Sequence, residues 1–408
     1  MHIPFLIIGA GPAGLMAGIS FGKGAVILER NPYAGKKLLI SGSGQCNITN
    51  ALEIPEFLKE CKPYARFLKP ALYALDNKRV IQMLESAGCP CMIREDGKVF
   101  PRSLISSSVR EALITLAKQN GVRIIYNSSV KEIGIMTGSE AKSQENVFII
   151  KTRQHDFFAN KILLATGGKS YPKTGSDGLG YYFARQLEHN IIEPRPALVG
   201  VDIVDFDIWM SCSGASIAAE TITIVSIEKR TRVKGQILFT HKGLSGPGII
   251  NNSHLMDQGC LIELCLLADP EKKLMDMEIN QAHKKVCNGL KQYNIPECIS
   301  RALILASGLD PDLRFADLNK TRRKLLGNKL ENLGFIVKQV EGWNKAMTTA
   351  GGINLSEVNP KTMESRLHNN LYLAGEILDY TLPTGGFNIQ AALSTGYLSG
   401  LSAKNAAR

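Results

Sequence analysis

Ile3-Pro-Phe-Leu-Ile-Ile8, followed at once by Gly9-Ala-Gly11-Pro-Ala-Gly14, is the stretch that decides the fold. The continuous apolar run has the character of a parallel strand covered on both faces, which places a buried strand over Pro4 to Ile8. The G-x-G-x-x-G pattern behind it gives each glycine a task. Gly9 permits the tight turn, Gly11 lets the backbone approach a pyrophosphate, and Gly14 lets the next helix pack closely on the strand. That helix begins near Pro12 and Ala13; proline suits a first helical turn, and the free N–H groups there face the phosphates. A second apolar run, Ala25-Val-Ile-Leu28, ends in Glu29-Arg30. A carboxylate ~20 residues from the first glycine accepts hydrogen bonds from an adenosine ribose. A dinucleotide is expected here.

The composition bounds the remaining possibilities. A chain of 408 residues with 44% apolar and 21% charged residues is long enough for two or three domains and is not generally disordered. Lysine and arginine (48) exceed aspartate and glutamate (37) by 11, which favours a phosphate-bearing cofactor, an acidic substrate or RNA as ligand. The nine cysteines are scattered, without a Cys-x-x-Cys pair or zinc-ligand spacing, so no metal is expected and a reducing, cytoplasmic setting is. Cys89-Pro-Cys91 reads as a loop. Ile3 to Gly22 lacks charge, but its glycines and prolines make it a strand, turn and helix, not a membrane span. No membrane association is expected.

Beyond the second strand come Lys36 and Lys37, candidates to meet ribose and phosphate oxygens, and a second glycine-rich loop. Within that loop Ser41, Gly42, Cys46 and Asn47 are candidates to contact an anion or a flat ring through backbone N–H groups and side chains. This argues for FAD over NAD. Farther on, Lys161-Ile-Leu-Leu-Ala165-Thr166-Gly167-Gly168 reads as another buried strand whose end lets backbone approach the cofactor. Leu371-Tyr-Leu-Ala374 leads into Gly375-Glu376. Thr384-Gly-Gly386-Phe-Asn388-Ile389-Gln390 reads as a glycine turn opening a helix around Asn388. A helix N-terminus aimed at the flavin N1–C2=O edge stabilises the negative charge that reduction puts there.

The sequence resembles the BaiN/YhiN-like family of NAD(P)/FAD-dependent oxidoreductases, which includes an aminoacetone oxidase. The likeness is carried by Gly35 to Asn50, Val99-Phe-Pro101, Ala165 to Gly168, Phe239-Thr-His-Lys-Gly-Leu-Ser-Gly-Pro247, Thr349-Ala-Gly-Gly352, Thr362-Met-Glu-Ser365 and Ala374 to Gln390. The resemblance implies an α/β fold: a Rossmann-like FAD-binding domain of the glutathione-reductase type with a single dinucleotide fold, an inserted β-rich domain and a small helical subdomain. It implies that Val130 touches adenine through its backbone and that Gly375-Glu376 lies beside the ribityl chain. The family's usual loop reads Gly-Gly-Gly-Arg-Cys-Asn; here Ser43 and Gln45 stand in place of a glycine and an arginine, and Gln45 brings no cation.

The expected domains are residues 1–192 with 345–408 for FAD, 193–268 with 335–344 for a β-rich substrate domain, and 269–334 for a helical insertion. Glu220 to Ile227 and Gln236 to Thr240 read as strands, and Lys272 to Leu290 and Thr321 to Leu333 as helices. The basic cluster Thr321-Arg-Arg-Lys324 reads as a solvated helix face. No second G-x-G-x-x-G follows a later strand, so NAD(P)H, if it is the electron source, binds transiently as a substrate. Loops expected to converge on the flavin are Tyr171 to Asp177, His241 to Ser245 and Thr381 to Gly386, with Tyr171 and His241 as candidate proton donors or acceptors. The leading function is FAD-dependent oxidation or reduction of a small metabolite, an amine or a carbonyl or enone compound, with NAD(P)H or O2 as redox partner. The alternatives are a flavin-dependent tRNA-modifying enzyme, with nucleic acid the less favoured partner, and a non-catalytic flavin redox sensor.

Overall fold

A computed structural model describes residues 2–136, 147–226 and 229–406. The chain forms two compact units: residues 1–195 with 343–408, and residues 196–342. Among the described residues no helix is long and apolar enough to cross a membrane.

The first unit is built on a five-stranded parallel sheet in the order Leu371–Leu373, Ile162–Leu164, Phe5–Ile8, Ala25–Leu28, Arg123–Ile125. All four residues of Phe5–Ile8 are buried, as their unbroken apolar character requires of a central strand. Register puts Leu373, Leu164, Ile8, Leu28 and Ile125 in one row across the sheet. The segments that follow these residues therefore leave the sheet along a single edge. The order of connection reverses on either side of Phe5–Ile8, and open α/β sheets bind ligands beyond the strand ends at such a reversal.

The helix Pro12–Phe21 follows the first glycine turn, with Pro12 in its first turn. It packs against the last helix, Phe387–Asn405, through small residues. A Cβ on Gly396 would lie 2.1 Å from the Ala13 carbonyl oxygen, and one on Gly400 would lie 2.1 Å from that of Ala17. Ser20 Oγ donates to the Tyr397 carbonyl (2.8 Å) across the same contact. Besides the two-stranded pairing of Ile191–Ala197 with Thr348–Ile353, two smaller sheets complete the unit. One joins Thr49–Asn50, Lys98–Pro101 and Cys91–Ile93, so Cys91 opens a strand and only Cys89-Pro90 remains in the loop expected there. The other joins His2–Ile3, Asp156–Ala159, Val147–Thr152 and Val130–Met136.

Residues 196–342 contain a closed barrel: Val201–Ile203, Gly243–Ser245, Arg230–Phe239, Ser216–Val225, Leu261–Cys265 and Leu333–Val340, which returns to Val201–Ile203. Ile227, at the end of the strand expected from residue 220, lies outside the described residues. The helix expected to reach Leu333 stops at Glu331, because Leu333 already opens the last barrel strand, where Leu333, Phe335 and Val337 alternate inward. Trp209, Phe239 and Phe335 fill the core with ring centroids 5.2 to 6.1 Å apart. The helices Pro270–Gln281, Glu297–Ala306 and Lys320–Glu331 bury Leu274, Leu303 and Leu330 in the same core. Arg323 pairs with Glu278, and Arg322 donates to the Asp317 carbonyl (2.9 Å), so two of the three residues of the Arg-Arg-Lys cluster are tied down within this unit.

Candidate functional site

The edge of the parallel sheet gathers most of the residues singled out from the sequence. Gly9 adopts φ +106°, and its N–H donates to the Leu28 carbonyl (2.9 Å). A Cβ there would sit 2.5 Å from the Ala165 carbonyl oxygen. One on Gly14 would sit 1.9 Å from the Gly9 carbonyl oxygen. Gly11 differs: nothing lies within 4 Å of where its Cβ would be, so no packing within this chain requires glycine at that position. Glu29 is buried. Its Oε2 accepts from Ala10 N–H (2.9 Å), and its Oε1 accepts from the backbone and side-chain amides of Asn31 (2.8 and 2.7 Å). The carboxylate thus fixes the glycine turn directly. Arg30 turns to Asp177 (2.7 Å) and the Gly175 carbonyl. Ser128 N–H donates to the Glu29 carbonyl (2.8 Å), which brings Val130, buried at the head of its strand, into this neighbourhood.

The two lysines part ways. Lys37 donates to Glu376 and to Ser170 Oγ. Glu376 Oε1 in turn accepts from Ser170 Oγ (2.7 Å), Thr349 N–H (3.0 Å) and Thr349 Oγ1 (3.1 Å). This network ties the first glycine-rich region to the end of strand Leu371–Leu373. Among the described residues Lys36 has no ion-pair partner, and Gly35 beside it donates to the Ala10 carbonyl (2.9 Å). Gly168 fits against Thr349 and Glu376, since a Cβ there would lie 2.3 Å from Thr349 Oγ1. Gly167 takes φ +75°, and Thr166 Oγ1 is buried without a partner.

The last segment of the chain closes on the same region. A Cβ on Gly375 would touch that of Ala13 at 2.9 Å, and one on Gly386 would lie 2.5 Å from the Thr49 carbonyl. In the amide orientation that satisfies its neighbours, Asn47 donates to the Thr49 and Val99 carbonyls (3.0 and 3.2 Å) and accepts from Gly386 N–H (3.1 Å). Asn388 clasps the turn before its helix, accepting from Leu382 N–H (3.0 Å) and donating to the Leu382 carbonyl (2.7 Å). Ile389 is half-buried in the first helical turn, where N–H groups have no acceptor within the helix. Gln390 is fully buried and donates to the Leu75 carbonyl (3.0 Å) and Ser394 Oγ (2.9 Å), a packing role.

In the second loop Gly42, Ser43, Gly44 and Cys46 all have positive φ (+55°, +55°, +86° and +61°). Ser41 Oγ donates to the Leu38 carbonyl (2.7 Å). Cys46 is buried, and burial pushes its thiol up to about 12, so it is a packed thiol and not a nucleophilic thiolate. A positive charge does reach this loop, but from outside it: Arg94 donates to Gln45 Oε1 (2.7 Å).

Tyr171 takes a left-handed backbone (φ +51°, ψ +60°) between Ser170 and Pro172, an unusual conformation for a tyrosine. Among the described residues its hydroxyl has no hydrogen-bond partner. His241 belongs to the other unit, exposed at the turn between two barrel strands. The sequence reading passed over Asp379. This half-buried carboxyl accepts from Gly351 N–H, yet burial outweighs that bond and lifts it above the ordinary carboxylate value. Tyr64 is raised as well, by burial and by the Asp379 charge.

Comparison with known proteins agrees with this architecture. The family model described as the HI0933-like protein Rossmann domain matches residues 3–402. The chain is 29% identical to a ribosomal RNA dihydrouridine synthase of Haemophilus influenzae, over 97% of each chain. It is 27% identical to a 3-dehydro-bile acid delta(4,6)-reductase of Clostridium scindens, over 97% of this chain and 98% of that one. Among solved structures, an E. coli quinol fumarate reductase superposes with a TM-score of 0.51 at 15% identity, covering 99% of this chain and 70% of that one. An open-conformation flavocytochrome c3 fumarate reductase gives 0.50 at 16%, covering 98% and 78%. These two are likenesses of fold. The chain belongs to the HI0933-like Rossmann family of FAD-dependent oxidoreductases.

Proposed function

We propose that the protein is an FAD-dependent reductase of a carbon–carbon double bond conjugated to a carbonyl group. The observation that carries this reading is the row of strand ends at which Gly11, Glu29, Gly375 and the start of helix Phe387–Asn405 are gathered. Bound FAD would supply the hydride. The chain's own residues bind and orient it. Gly11 and the helix Pro12–Phe21 would receive the pyrophosphate, Glu29 the adenosine ribose, and Lys36 a phosphate or ribose oxygen. The N-terminus of Phe387–Asn405 favours negative charge on the flavin ring. Saturating the double bond also requires a proton at the carbon next to the carbonyl. Tyr171, with its unpartnered hydroxyl, and Asp379, with its raised affinity for a proton, are the candidates to hold it.

The choice of bond is supported by the chemistry in two relatives' names. Dihydrouridine is uridine with its ring double bond saturated, and a 3-dehydro delta(4,6) compound carries double bonds conjugated to a ketone. In both compounds the double bond is made electrophilic by a carbonyl. A transient nicotinamide donor accords with the single G-x-G-x-x-G of the sequence.

A second reading, with the double bond in a uracil of RNA, is favoured by charge. Residues 1–195 and 343–408 carry 30 basic and 20 acidic residues, a net +10, against 18 and 17, a net +1, for residues 196–342. The excess lies on the unit that holds the proposed FAD site.

The test is anaerobic stopped-flow. NADH, NADPH and an amine panel are offered to the oxidised protein, and a 3-oxo-4-ene steroid and a ribosomal RNA transcript to the reduced one. Reoxidation by either acceptor, with a product two mass units heavier, is the expected result. Reduction by an amine with no response to either acceptor would replace this reading with an amine oxidase.

A further inference from the structure

Arg94 is the one feature at the second glycine loop that neither cofactor binding nor packing accounts for. It stands at the tip of the hairpin formed by Cys91–Ile93 and Lys98–Pro101, where its N–H donates to the Lys98 carbonyl and Gly97 N–H donates back to its own (both 2.9 Å). Its guanidinium lies over the face of Phe100, 3.8 Å from the ring centroid. The ring also borders the loop, since a Cβ on Gly42 would sit 3.7 Å from Phe100 Cε1. One Nη2 hydrogen goes to Gln45 Oε1 at 2.7 Å. The side chain is thus held from below by an aromatic face and from the side by the loop, a fixed planar fork.

A guanidinium has five N–H donors, and this one uses a single donor within the protein. The others have no partner among the described residues, and none is a buried unsatisfied atom, so they open to solvent. Among the described residues no carboxylate is paired with it. Of the two acidic residues that follow, Glu95 is exposed, and Asp96 is taken by Lys98 (2.6 Å), which holds its carboxyl below the usual range, with Arg94 a lesser contributor. Beside this fork Gly42 and Ser43 are exposed, with their backbone in the left-handed region. Oriented, half-buried and in no ion pair among the described residues, the group has the donors to grip two oxygens of one anion.

We propose that Arg94, steadied by Phe100 and Gln45, is the anchor for an oxyanion of the substrate, a carboxylate or a phosphate, at the mouth of the second glycine loop. The proposal rests on the reading of that loop as a wall of the flavin site. It confers specificity: the double bond is presented by a molecule that is anionic some distance from its reacting carbon.

The holoprotein is titrated with inorganic phosphate and, separately, with acetate, by calorimetry and by the flavin absorption spectrum. Saturable binding that perturbs the spectrum is expected, weakened about tenfold or more in Arg94→Gln and less in Arg94→Lys. Flavin content and unfolding midpoint should match the wild type in both. If Arg94→Gln fails to fold, Gln45→Leu, which frees the fork, should weaken binding severalfold. Tighter phosphate points to a phosphoryl-bearing substrate and tighter acetate to a carboxylate; either supports the anchor. It is overturned by absence of saturable binding, by binding that Arg94→Gln leaves unchanged, or by binding that leaves the flavin spectrum untouched. A wild-type protein that carries no flavin would instead sink the cofactor reading, while the calorimetric arm still reports on the anion.

Discussion

A side chain at Gly14 would drive its Cβ to within 1.9 Å of the Gly9 carbonyl oxygen, whereas one at Gly11 would meet no atom of the protein within 4 Å. Gly11 has φ −78°, which any residue adopts. The two glycines of one motif therefore make opposite predictions. Gly11→Val should yield folded, colourless protein, with an unfolding midpoint near that of the wild-type apoprotein and no flavin released on heating. Gly14→Ala should destabilise the fold itself by about 1–3 kcal/mol in denaturant melts, because the helix must move off the strand. Full flavin content in Gly11→Val would displace the pyrophosphate from this turn. Glu29→Ala should weaken flavin binding by about 1.5–3 kcal/mol, the scale of a charged hydrogen bond. Fluorescence titration of the apoprotein measures it, and an unchanged affinity would remove Glu29 from the site. At this scale the sequence was readable where a residue's task is local. It was silent where partners are remote: Lys37 meets Glu376 across 339 positions, and Arg94 reaches Gln45 across 49. Nothing in the spacing of Lys36 and Lys37 foretells that one is bound internally and the other free.

Between elements, the most extensive contact in the first unit is that of Pro12–Phe21 with Phe387–Asn405, where Gly396 and Gly400 accept the backbone of Ala13 and Ala17. Gly396→Leu should cost about 2–3 kcal/mol or more by overpacking, read as a lowered denaturant midpoint, and flavin retention should fall with it because Gly375 rests on the same Ala13. Strand and helix limits were legible where pattern and punctuation coincide: Ala25–Leu28 appears over the residues its apolar run marks, and the first helix opens at Pro12. The three short helices Ile54–Glu60, Ala65–Ala74 and Asn77–Ser86 were not read, although Pro55 stands in the first turn of the first and Asp76 caps the third by accepting from Arg79 N–H (2.7 Å). Proline stands within the second of them, at Pro70, and each is held mainly by what it packs against.

For the whole molecule, the buried His189 and the half-buried His254 set the acid limit. Burial pushes His189 below its ordinary 6.5, although Glu357 beside its Nδ1 (2.9 Å) pulls the other way, and His254 is lowered by burial alone. Ser365 Oγ meets His189 Nε2 at 3.1 Å and accepts from the N–H groups of Leu367 and His368 (both 3.0 Å), so this carboxylate–imidazole–hydroxyl chain is a clamp and not a nucleophile. The folded state keeps both rings neutral where the unfolded chain would protonate them. Their contribution is complete above about pH 6.5 and is lost as pH falls through the lower native values. The unfolding midpoint should fall between about pH 7 and pH 5, and His189→Gln should flatten that slope; a midpoint independent of pH would overturn the assignment. The α/β class with its single dinucleotide fold could be read from the opening residues, but the closure of the barrel could not, because the pairing of Leu333–Val340 with Val201–Ile203 joins strands remote in sequence and leaves no local pattern. That arrangement has a cost in time. The sheet's edge strand and the helix that covers Pro12–Phe21 belong to residues 343–408, so on the ribosome the nucleotide crevice waits, half-walled, while all of residues 196–342 are made. Prematurely terminated products should stay pale, and colour would report that translation has run to its end.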